Sequence, residues 1–218
     1  MKKKFNHNTV WGKRMKGKTN NILLETNASI DVDKELYSED IDASIIHCKM
    51  LAKQSVIPAK ISKKIVNCLE KIRREIKSKK FKFNKKHEDI HLNIENRLFQ
   101  LIGPDAGYLH TARSRNDQVL TDLKLWMRKS TNEIIKLLNS TNKLIIKKSE
   151  INKETIMPGF THLKNAQPVS FGHYLLAYVE MFSRDKNRFK NNLNSLLENP
   201  LGSAALVGTT FNIDRNFT

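Results

Sequence analysis

Two polar segments of this 218-residue chain carry the residue types from which a catalytic site could be built. The first, residues 109–118, reads LHTARSRNDQ and contains two arginines, two hydroxyls, two amides, a histidine and a carboxylate. It follows the turn sequence Gly103–Gly107 and opens a long amphipathic run. Arginine forks grip carboxylates bidentately, and free backbone N–H groups at a helix N-terminus add to the attraction. The segment therefore predicts a site for a small polyanion; the alternative is an exposed helix cap with solvated arginines.

The second segment, residues 157–168, places His162 between Gly159 and Pro168, in a break between two predicted long helices. Imidazole titrates near neutral pH and suits general acid–base work. The alternative is a loop histidine in water. A shorter stretch, Asn27–Asp31, precedes the first predicted helix, and by itself it predicts a helix cap.

The stretch His87–His91 matches the HExxH pattern of zinc peptidases. However, His87 follows an Asn-Lys-Lys sequence and is predicted to precede the helix, so the two imidazoles need not share a face. No third ligand follows at a spacing typical of such enzymes. We therefore predict no metal site, and we interpret Asp89 and His91 as polar residues near a helix start.

Composition narrows the possible classes of function. The net charge of +17 invites a nucleic-acid interpretation, but the lysines are scattered along the chain and no nucleic-acid-binding signature is present. The two cysteines, Cys48 and Cys68, lie in apolar-periodic runs and predict buried thiols in a reducing compartment. No apolar segment follows the basic start Met1–Lys4, and no run is long enough to span a membrane. We expect a soluble, cytoplasmic protein with no specific nucleic-acid or membrane partner.

Apolar periodicity predicts an all-α fold. The long helices that must position the polar segments contain no Gly or Pro for many residues and need long partners, which predicts a helical bundle and an oligomer. Residues 1–30 are polar and irregular. The predicted helices are Asp33–Gln54, a second from Pro58 to the basic run Lys77–Lys86, Glu88–Ile102, Asn116–Glu150 and Pro168–Asn199.

Together these segments resemble one family. Residues 110–118 resemble the HTGRSRNDQ signature of argininosuccinate lyases, and residues 157–180 are similar to a second signature of the same family. The likeness runs from about residue 11 to the end of the chain and explains the HExxH match as part of the family's EDIH segment. Shorter matches are Trp11-Gly12, Ser29–Asp31, Asp40-Ile41, Glu88–His91 and Pro200–Ser203.

The resemblance implies a fumarase/aspartase-like fold, with an N-terminal helical domain (1–112) followed by the first long helices of a central bundle (113–218). Proteins of this family are homotetramers whose active sites gather three sequence regions from three subunits. They split argininosuccinate into arginine and fumarate by removing a proton β to the leaving guanidinium nitrogen. Neither a metal nor an organic cofactor is required.

The resemblance also assigns roles residue by residue. The arginine–amide cluster of the first region would hold the substrate carboxylates. In the second region His162 would be the catalytic acid/base, Thr161 would contact the substrate, and Gln167 is a further contact. Ser29 and Asp31 would bind the arginine end of the substrate. The carboxylate-binding cluster is Arg113, Ser114, Arg115 and Asn116.

Two departures from the family pattern matter. Ala112 replaces a glycine, which carries a steric penalty if the backbone there has a positive φ. The third region, a Gly-Ser-Ser loop with the serine base, is absent from the 218 residues, and the chain looks cut off before it. We therefore predict that this chain has no lyase activity by itself. The alternatives are a non-catalytic truncated remnant that acts only as a helical association module, a basic nucleic-acid binder, and a sister lyase for another succinyl substrate, which the HTxRSRND pattern argues against.

Overall fold

Helices dominate the computed structural model of the chain, which describes residues 21–218. This confirms the all-α prediction. The match at Trp11-Gly12 and the basic start Met1–Lys4 lie outside the described residues. No helix in the described part of the chain is both long and apolar enough to cross a membrane. Short 3-10 turns link several of the helices, which are α1 (Asn21–Asn27), α2 (Ile30–Asp33), α3 (Tyr37–Lys53), α4 (Ala59–Lys77), α5 (Ile90–Ile102), α6 (Arg115–Ile151) and α7 (Phe171–Ser195).

The described chain divides into two compact units. The first comprises residues 21–123 together with Pro200–Thr218, and the second is Lys124–Asn199. Helix α6 begins in the first unit and continues into the second. The sequence-based division at residue 112 remains a prediction.

The core of the first unit is built by α3, α4, α5 and the 3-10 segment Gly103–His110. Their apolar residues recur at helical spacing, so each helix turns one apolar face inward. Gly103 ends α5 with a φ of +67°, a conformation that glycine adopts without steric cost. The predicted helix Asp33–Gln54 is interrupted by a 3-10 turn at Lys34–Leu36. Fully buried core residues include Ile41, Met50, Leu51, Ile65, Leu69, Ile72, Ile90, Ile94, Leu98 and Leu109.

In the second unit, α6 and α7 run antiparallel to each other. The predicted long helix at Asn116–Glu150 is confirmed, since α6 contains 37 residues and is about 55 Å long. Ser149 Oγ donates to the carbonyl of Gly172, 2.6 Å away, and a Cβ at Gly172 would lie only 2.6 Å from the Ser149 carbonyl. Many large apolar side chains of these helices remain exposed, among them Ile134, Leu137, Leu144, Ile146, Leu176 and Met181.

A β-hairpin joins α6 to α7. Strands β1 (Ile156–Thr161) and β2 (Lys164–Ser170) pair antiparallel, with a bulge beside Gly159. Pro168 pairs with Pro158, and the Ser170 hydroxyl accepts a hydrogen bond from the His173 N–H. Helix α7 therefore begins at Phe171, three residues later than predicted. Sequence periodicity identified this stretch only as a break between helices, and the hairpin was not predicted.

Candidate active site

The first polar segment forms a capped helix N-terminus, as predicted. Ser114 precedes α6, and its hydroxyl accepts a hydrogen bond from the Asn116 N–H at 3.3 Å. The Asp117 carboxylate accepts from the Ser114 N–H at 2.9 Å. These reciprocal bonds satisfy two of the N–H groups that a helix start leaves without partners. The caps fix the backbone from which Arg115 and Asn116 project.

The loop before α6 is strained and tied to α3. Ala112 has a φ of +58°, so the steric penalty expected for alanine at this position is confirmed. Next to it, the carbonyl of Thr111 accepts a hydrogen bond from His47 Nε2 at 2.9 Å. Burial, together with the nearby charge of Arg113, lowers the pKa of His47 to about 4. His47 is thus a neutral donor that anchors the strained loop.

Arg113 points into the protein interior. Only 6% of the residue is exposed, and its Nη1 donates to Ser44 Oγ at 2.9 Å. Its Nε and Nη2 are buried and have no hydrogen-bond partner among the described residues. The structure therefore places Arg113 beneath the loop, where its charge lies close to the carboxylates of Asp40 and Asp122.

Arg115 is less buried and is held by three side chains. Its Nε lies 3.0 Å from Asp89 Oδ2, its Nη1 lies 3.3 Å from Glu95 Oε1, and Nη1 also donates to Gln118 Oε1 at 2.7 Å. Burial alone would raise the pKa of Glu95, but the hydrogen bond from His110 and the charge of Arg115 lower it to about 2. The guanidinium group is therefore fixed in orientation between two carboxylates and an amide.

Ser29 lies at the same end of the first unit. Its N–H donates to the carbonyl of Glu88 at 2.9 Å, and Glu88 is followed by Asp89, the partner of Arg115. The Ser29 hydroxyl donates to Asp33 Oδ2 at 2.6 Å. Asp31 is exposed and pairs with Lys85 at 2.5 Å. The backbone of Ser29 is thus linked to Arg115 through the neighbouring residues Glu88 and Asp89.

A buried polar cluster lies below Arg115. Asp40 Oδ1 is 2.9 Å from His91 Nδ1, which is also 3.5 Å from Asp122 Oδ2. Burial, reinforced by the charge of Asp40, raises the pKa of Asp122 to about 10. The pKa of Asp40 is low: burial opposes ionisation, but the charge and hydrogen bond of His91 outweigh it. The pair therefore holds one ionised and one protonated carboxyl group at neutral pH.

The same three residues offer ligand atoms within 4.8 Å of one another, a set that could hold a metal ion. In the structure, however, Asp40 Oδ1 already pairs with His91 and accepts a hydrogen bond from Gln118, and the Arg113 cation lies nearby. His87, the other histidine of the HExxH pattern, precedes α5 as predicted and contacts Asn96 instead. The two histidines of that pattern thus face different partners.

Thr161, His162 and Gln167 lie on the hairpin of the second unit, whereas the other predicted site residues belong to the first unit. All three are exposed. His162 and Leu163 form the two-residue hairpin loop, with φ values of +50° and +63°. Positive φ at both positions is typical of a type I′ turn. The hairpin therefore presents the predicted acid/base at its tip, in a backbone conformation that is unfavourable for residues with a side chain.

Sequence reasoning did not assign roles to Asp89, Glu95, Gln118 and Asp40, which hold Arg115 directly or through one intermediate. Asp89 lies in the EDIH segment and Gln118 in the segment 110–118, and their polar character was the signal available. Glu95 offers no local signal, because its partners His110 and Arg115 lie 15 and 20 residues away.

Comparisons with known proteins identify the family of this chain. A family model described as Lyase matches residues 13–218. The chain is 60% identical to an argininosuccinate lyase of Pelagibacter ubique (strain HTCC1062) over all 218 residues, which cover 47% of that protein. It is 50% identical to an argininosuccinate lyase of Bartonella bacilliformis over 211 residues, which are 97% of this chain and 45% of that protein. The chain thus spans about half the length of the curated relatives it matches.

Solved structures share the fold at lower identity. An EDDS lyase in complex with formate matches 93% of this chain and 40% of its own, with a TM-score of 0.74 and 23% identity. A class II fumarase from Schistosoma mansoni matches 91% of this chain and 44% of its own, with a TM-score of 0.71 and 19% identity. The family match over nearly the whole sequence and the shared helical fold lead to one conclusion: this chain belongs to the lyase family.

Proposed function

We propose that this chain supplies the carboxylate-binding and acid/base segments of an argininosuccinate lyase, which splits argininosuccinate into arginine and fumarate. The observation that carries the proposal is the fixed guanidinium of Arg115 at the start of α6, with Ser29 close by through Glu88 and Asp89. The 60% identity to an argininosuccinate lyase over the whole chain supports it.

The proposed reaction is a β-elimination. A base removes the proton from the carbon next to a carboxylate, and the negative charge that develops is stabilised by cationic and N–H donors aimed at it. The C–N bond then breaks, and the leaving guanidinium nitrogen takes up a proton. We assign carboxylate binding to Ser114, Arg115 and Asn116, with Arg113 contributing its charge from beneath the loop. We assign acid/base work to His162, with Thr161 and Gln167 beside the substrate.

Ser29 and Asp31 are proposed to bind the arginine end. A carboxylate such as that of Asp31 pairs well with a guanidinium group, and Asp31 is exposed and pairs with the surface lysine Lys85. No step of the proposed elimination uses a metal or an organic cofactor.

We further propose a cytoplasmic homotetramer in which each active site is shared between subunits. The exposed apolar side chains of α6 and α7 support association, since Leu137 is 67% exposed and Leu144 is 69% exposed. Both cysteines are free thiols, which is usual in reducing compartments. The dispersed lysines give no reason to propose a nucleic-acid partner.

Ligand binding and turnover by the purified chain test the proposal. Because the 218 residues contain no Gly-Ser-Ser loop, we expect no release of fumarate from argininosuccinate, measured by ultraviolet absorbance. Calorimetry should detect fumarate binding, weakened at least about tenfold by Arg115→Lys through loss of fork geometry. Arg188→Lys, on an exposed ion pair of α7, is the matched control and should leave binding unchanged.

The substrate class needs its own measurement. Argininosuccinate should bind more tightly than succinate, and Asp31→Asn should remove that difference while Asp185→Asn does not. Equal affinity of the chain for argininosuccinate and succinate would count against recognition of the arginine end. Equal fumarate affinity in wild type and Arg115→Lys would count against the carboxylate-binding role.

A second candidate function, that of a non-catalytic association module, is favoured by the same exposed apolar residues. Calorimetry distinguishes the two: a pure association module would form oligomers in sedimentation velocity but would bind neither fumarate nor argininosuccinate. Leu137→Lys should then abolish association, and the exposed polar change Asn132→Lys should not.

A further inference from the structure

Gln118 connects the candidate site to the protein interior. Only 1% of this residue is exposed, and its amide lies between a cation and an anion. Its Oε1 accepts from Arg115 Nη1 at 2.7 Å, and its Nε2 donates to Asp40 Oδ1 at 2.6 Å. Gln118 is the third residue after Arg115 in α6, so both side chains leave neighbouring positions on one face of the helix.

The polarity of the two partners allows only one orientation of this amide. A guanidinium group can only donate hydrogen bonds, and an ionised carboxylate can only accept them. If the amide were reversed, its NH2 would face the donors of Arg115 and its oxygen would face Asp40. Both contacts would then be repulsive inside the protein, where such penalties are large.

The buried cluster keeps Asp40 in the state that this arrangement needs. His91 Nδ1 lies 2.9 Å from the same Asp40 oxygen that accepts from Gln118. The charge and hydrogen bond of His91 hold the pKa of Asp40 low despite its burial. Asp40 therefore remains an acceptor, and its contact with Gln118 Nε2 fixes the orientation of the Gln118 amide.

A neutral amide at this position has a further consequence. Arg115 already faces two carboxylates, Asp89 and Glu95. A third carboxylate would add further negative charge around the guanidinium and weaken its attraction for an anionic ligand. The Gln118 amide restrains the guanidinium plane without cancelling its charge, so less side-chain entropy is lost when a ligand binds.

We propose that Gln118 is a positioning residue: the buried Asp40–His91 pair acts through the Gln118 amide to hold the Arg115 guanidinium ready for a ligand carboxylate. This role rests on the proposed carboxylate-binding function of Arg115. It also predicts that the Arg115 guanidinium group is held in place in the absence of any ligand.

The test is a charge-conserving swap in the 218-residue chain, read by NMR of isotope-labelled arginine. Gln118→Glu places a carboxylate against Asp40, and Asp40→Asn removes the negative charge opposite the amide and replaces one of the two acceptor oxygens with a donor NH2 group. Each single variant should shift the Arg115 Nε–H resonance and speed rotation of its guanidinium group. The double variant Asp40→Asn/Gln118→Glu keeps the net charge and restores a donor opposite an acceptor, so it should return both values toward wild type.

Controls separate positioning from general destabilisation. The resonance of Arg97, which pairs with Glu75 away from this cluster, should stay unchanged in every variant. Should Gln118→Glu fail to fold, Gln118→Met removes both hydrogen bonds without adding charge and should shift the Arg115 resonance in the same experiment. An Arg115 resonance that is unchanged in a folded Gln118 variant, or not restored in the double variant, overturns the proposal.

Adding fumarate to the same samples keeps the two proposals distinguishable. Wild type should bind fumarate at least about threefold more tightly than folded Gln118→Met, because the variant must order its arginine on binding. Absence of fumarate binding in wild type, with the Arg115 resonance still responding to Gln118, would contradict the proposed function and leave the positioning of Arg115 supported.

Discussion

Asp117 Oδ2 lies 2.8 Å from the backbone nitrogen of Ala204, which stands 87 residues later in the chain. The same oxygen accepts from the Gly202 N–H at 3.0 Å, while Oδ1 accepts from the Ser114 N–H. One buried carboxylate thus joins the loop that carries Arg113–Asn116 to the small-residue loop at Pro200–Ala205. Asp117 is not proposed to bind the substrate, but the geometry of the candidate site depends on it.

Replacing this carboxylate by an amide should therefore be costly. Asp117→Asn puts an NH2 group against backbone N–H groups, leaves at least one buried donor without an acceptor, and should lower the free energy of unfolding by about 2–3 kcal/mol. Urea denaturation measures the loss, and hydrogen exchange should accelerate at Gly202 and Ala204. Asp185→Asn, at an exposed ion pair of α7, should change stability by less than about 0.5 kcal/mol. Equal effects of the two substitutions would show that the Asp117 contacts contribute nothing specific.

A second prediction concerns the strained residue in the same loop. Ala112 has a φ of +58°, a conformation that destabilises the fold by about 1–2 kcal/mol when the residue has a side chain. Glycine avoids this strain, but its larger conformational freedom in the unfolded chain lowers stability by about 0.4–1 kcal/mol. Ala112→Gly should therefore stabilise the chain by about 0.5–1 kcal/mol in urea denaturation. Ala52→Gly, near the end of helix α3, should destabilise it by about 1 kcal/mol. A destabilising Ala112→Gly would mean that packing of the Ala112 methyl group contributes more to the free energy of unfolding than the relief of strain does.

The sequence was most informative where the interactions are local. Helix α6 carries a continuous 3.6-residue pattern without Gly or Pro, so its existence and bounds were predictable. The hairpin was not predictable from periodicity, because β1 and β2 are short, contain two prolines that pair with each other, and alternate poorly. At the candidate site, the capping residues could be read from the motif. The burial of Arg113 and the contacts of Glu95 could not, since they depend on packing between distant segments.

The buried carboxyl pair makes stability depend on pH. Asp122 has an ordinary pKa in the unfolded chain, but burial and the charge of Asp40 raise it to about 10 in the fold. A raised carboxyl pKa means that the folded state binds the extra proton, so stability falls as pH rises from about 4 toward 10, by at most about 1.4 kcal/mol per pH unit. The groups that face it are Asp40, His91, Arg113 and Glu39.

Asp122→Asn should remove this dependence, because an amide can donate toward Asp40 as the protonated acid does and cannot ionise. We expect urea denaturation between pH 5 and pH 9 to show a flatter profile for the variant than for wild type. The exposed Asp42→Asn variant should keep the wild-type slope. Parallel profiles for wild type and Asp122→Asn would show that Asp122 is ionised in the folded chain.

The turn that presents His162 gives the last prediction. Leu163 is 99% exposed and has a φ of +63°, so its side chain contributes strain without packing. Glycine is favoured at this position of a type I′ turn, and Leu163→Gly should stabilise the hairpin by about 0.5–1 kcal/mol. Slower hydrogen exchange at the amides of Phe160 and Asn165, which pair across the strands, would report it. Gly159→Ala is the opposite case, because its Cβ would lie 2.5 Å from the Gln167 carbonyl oxygen and should push the strands apart. Faster exchange in Leu163→Gly than in wild type would contradict the type I′ geometry of this turn.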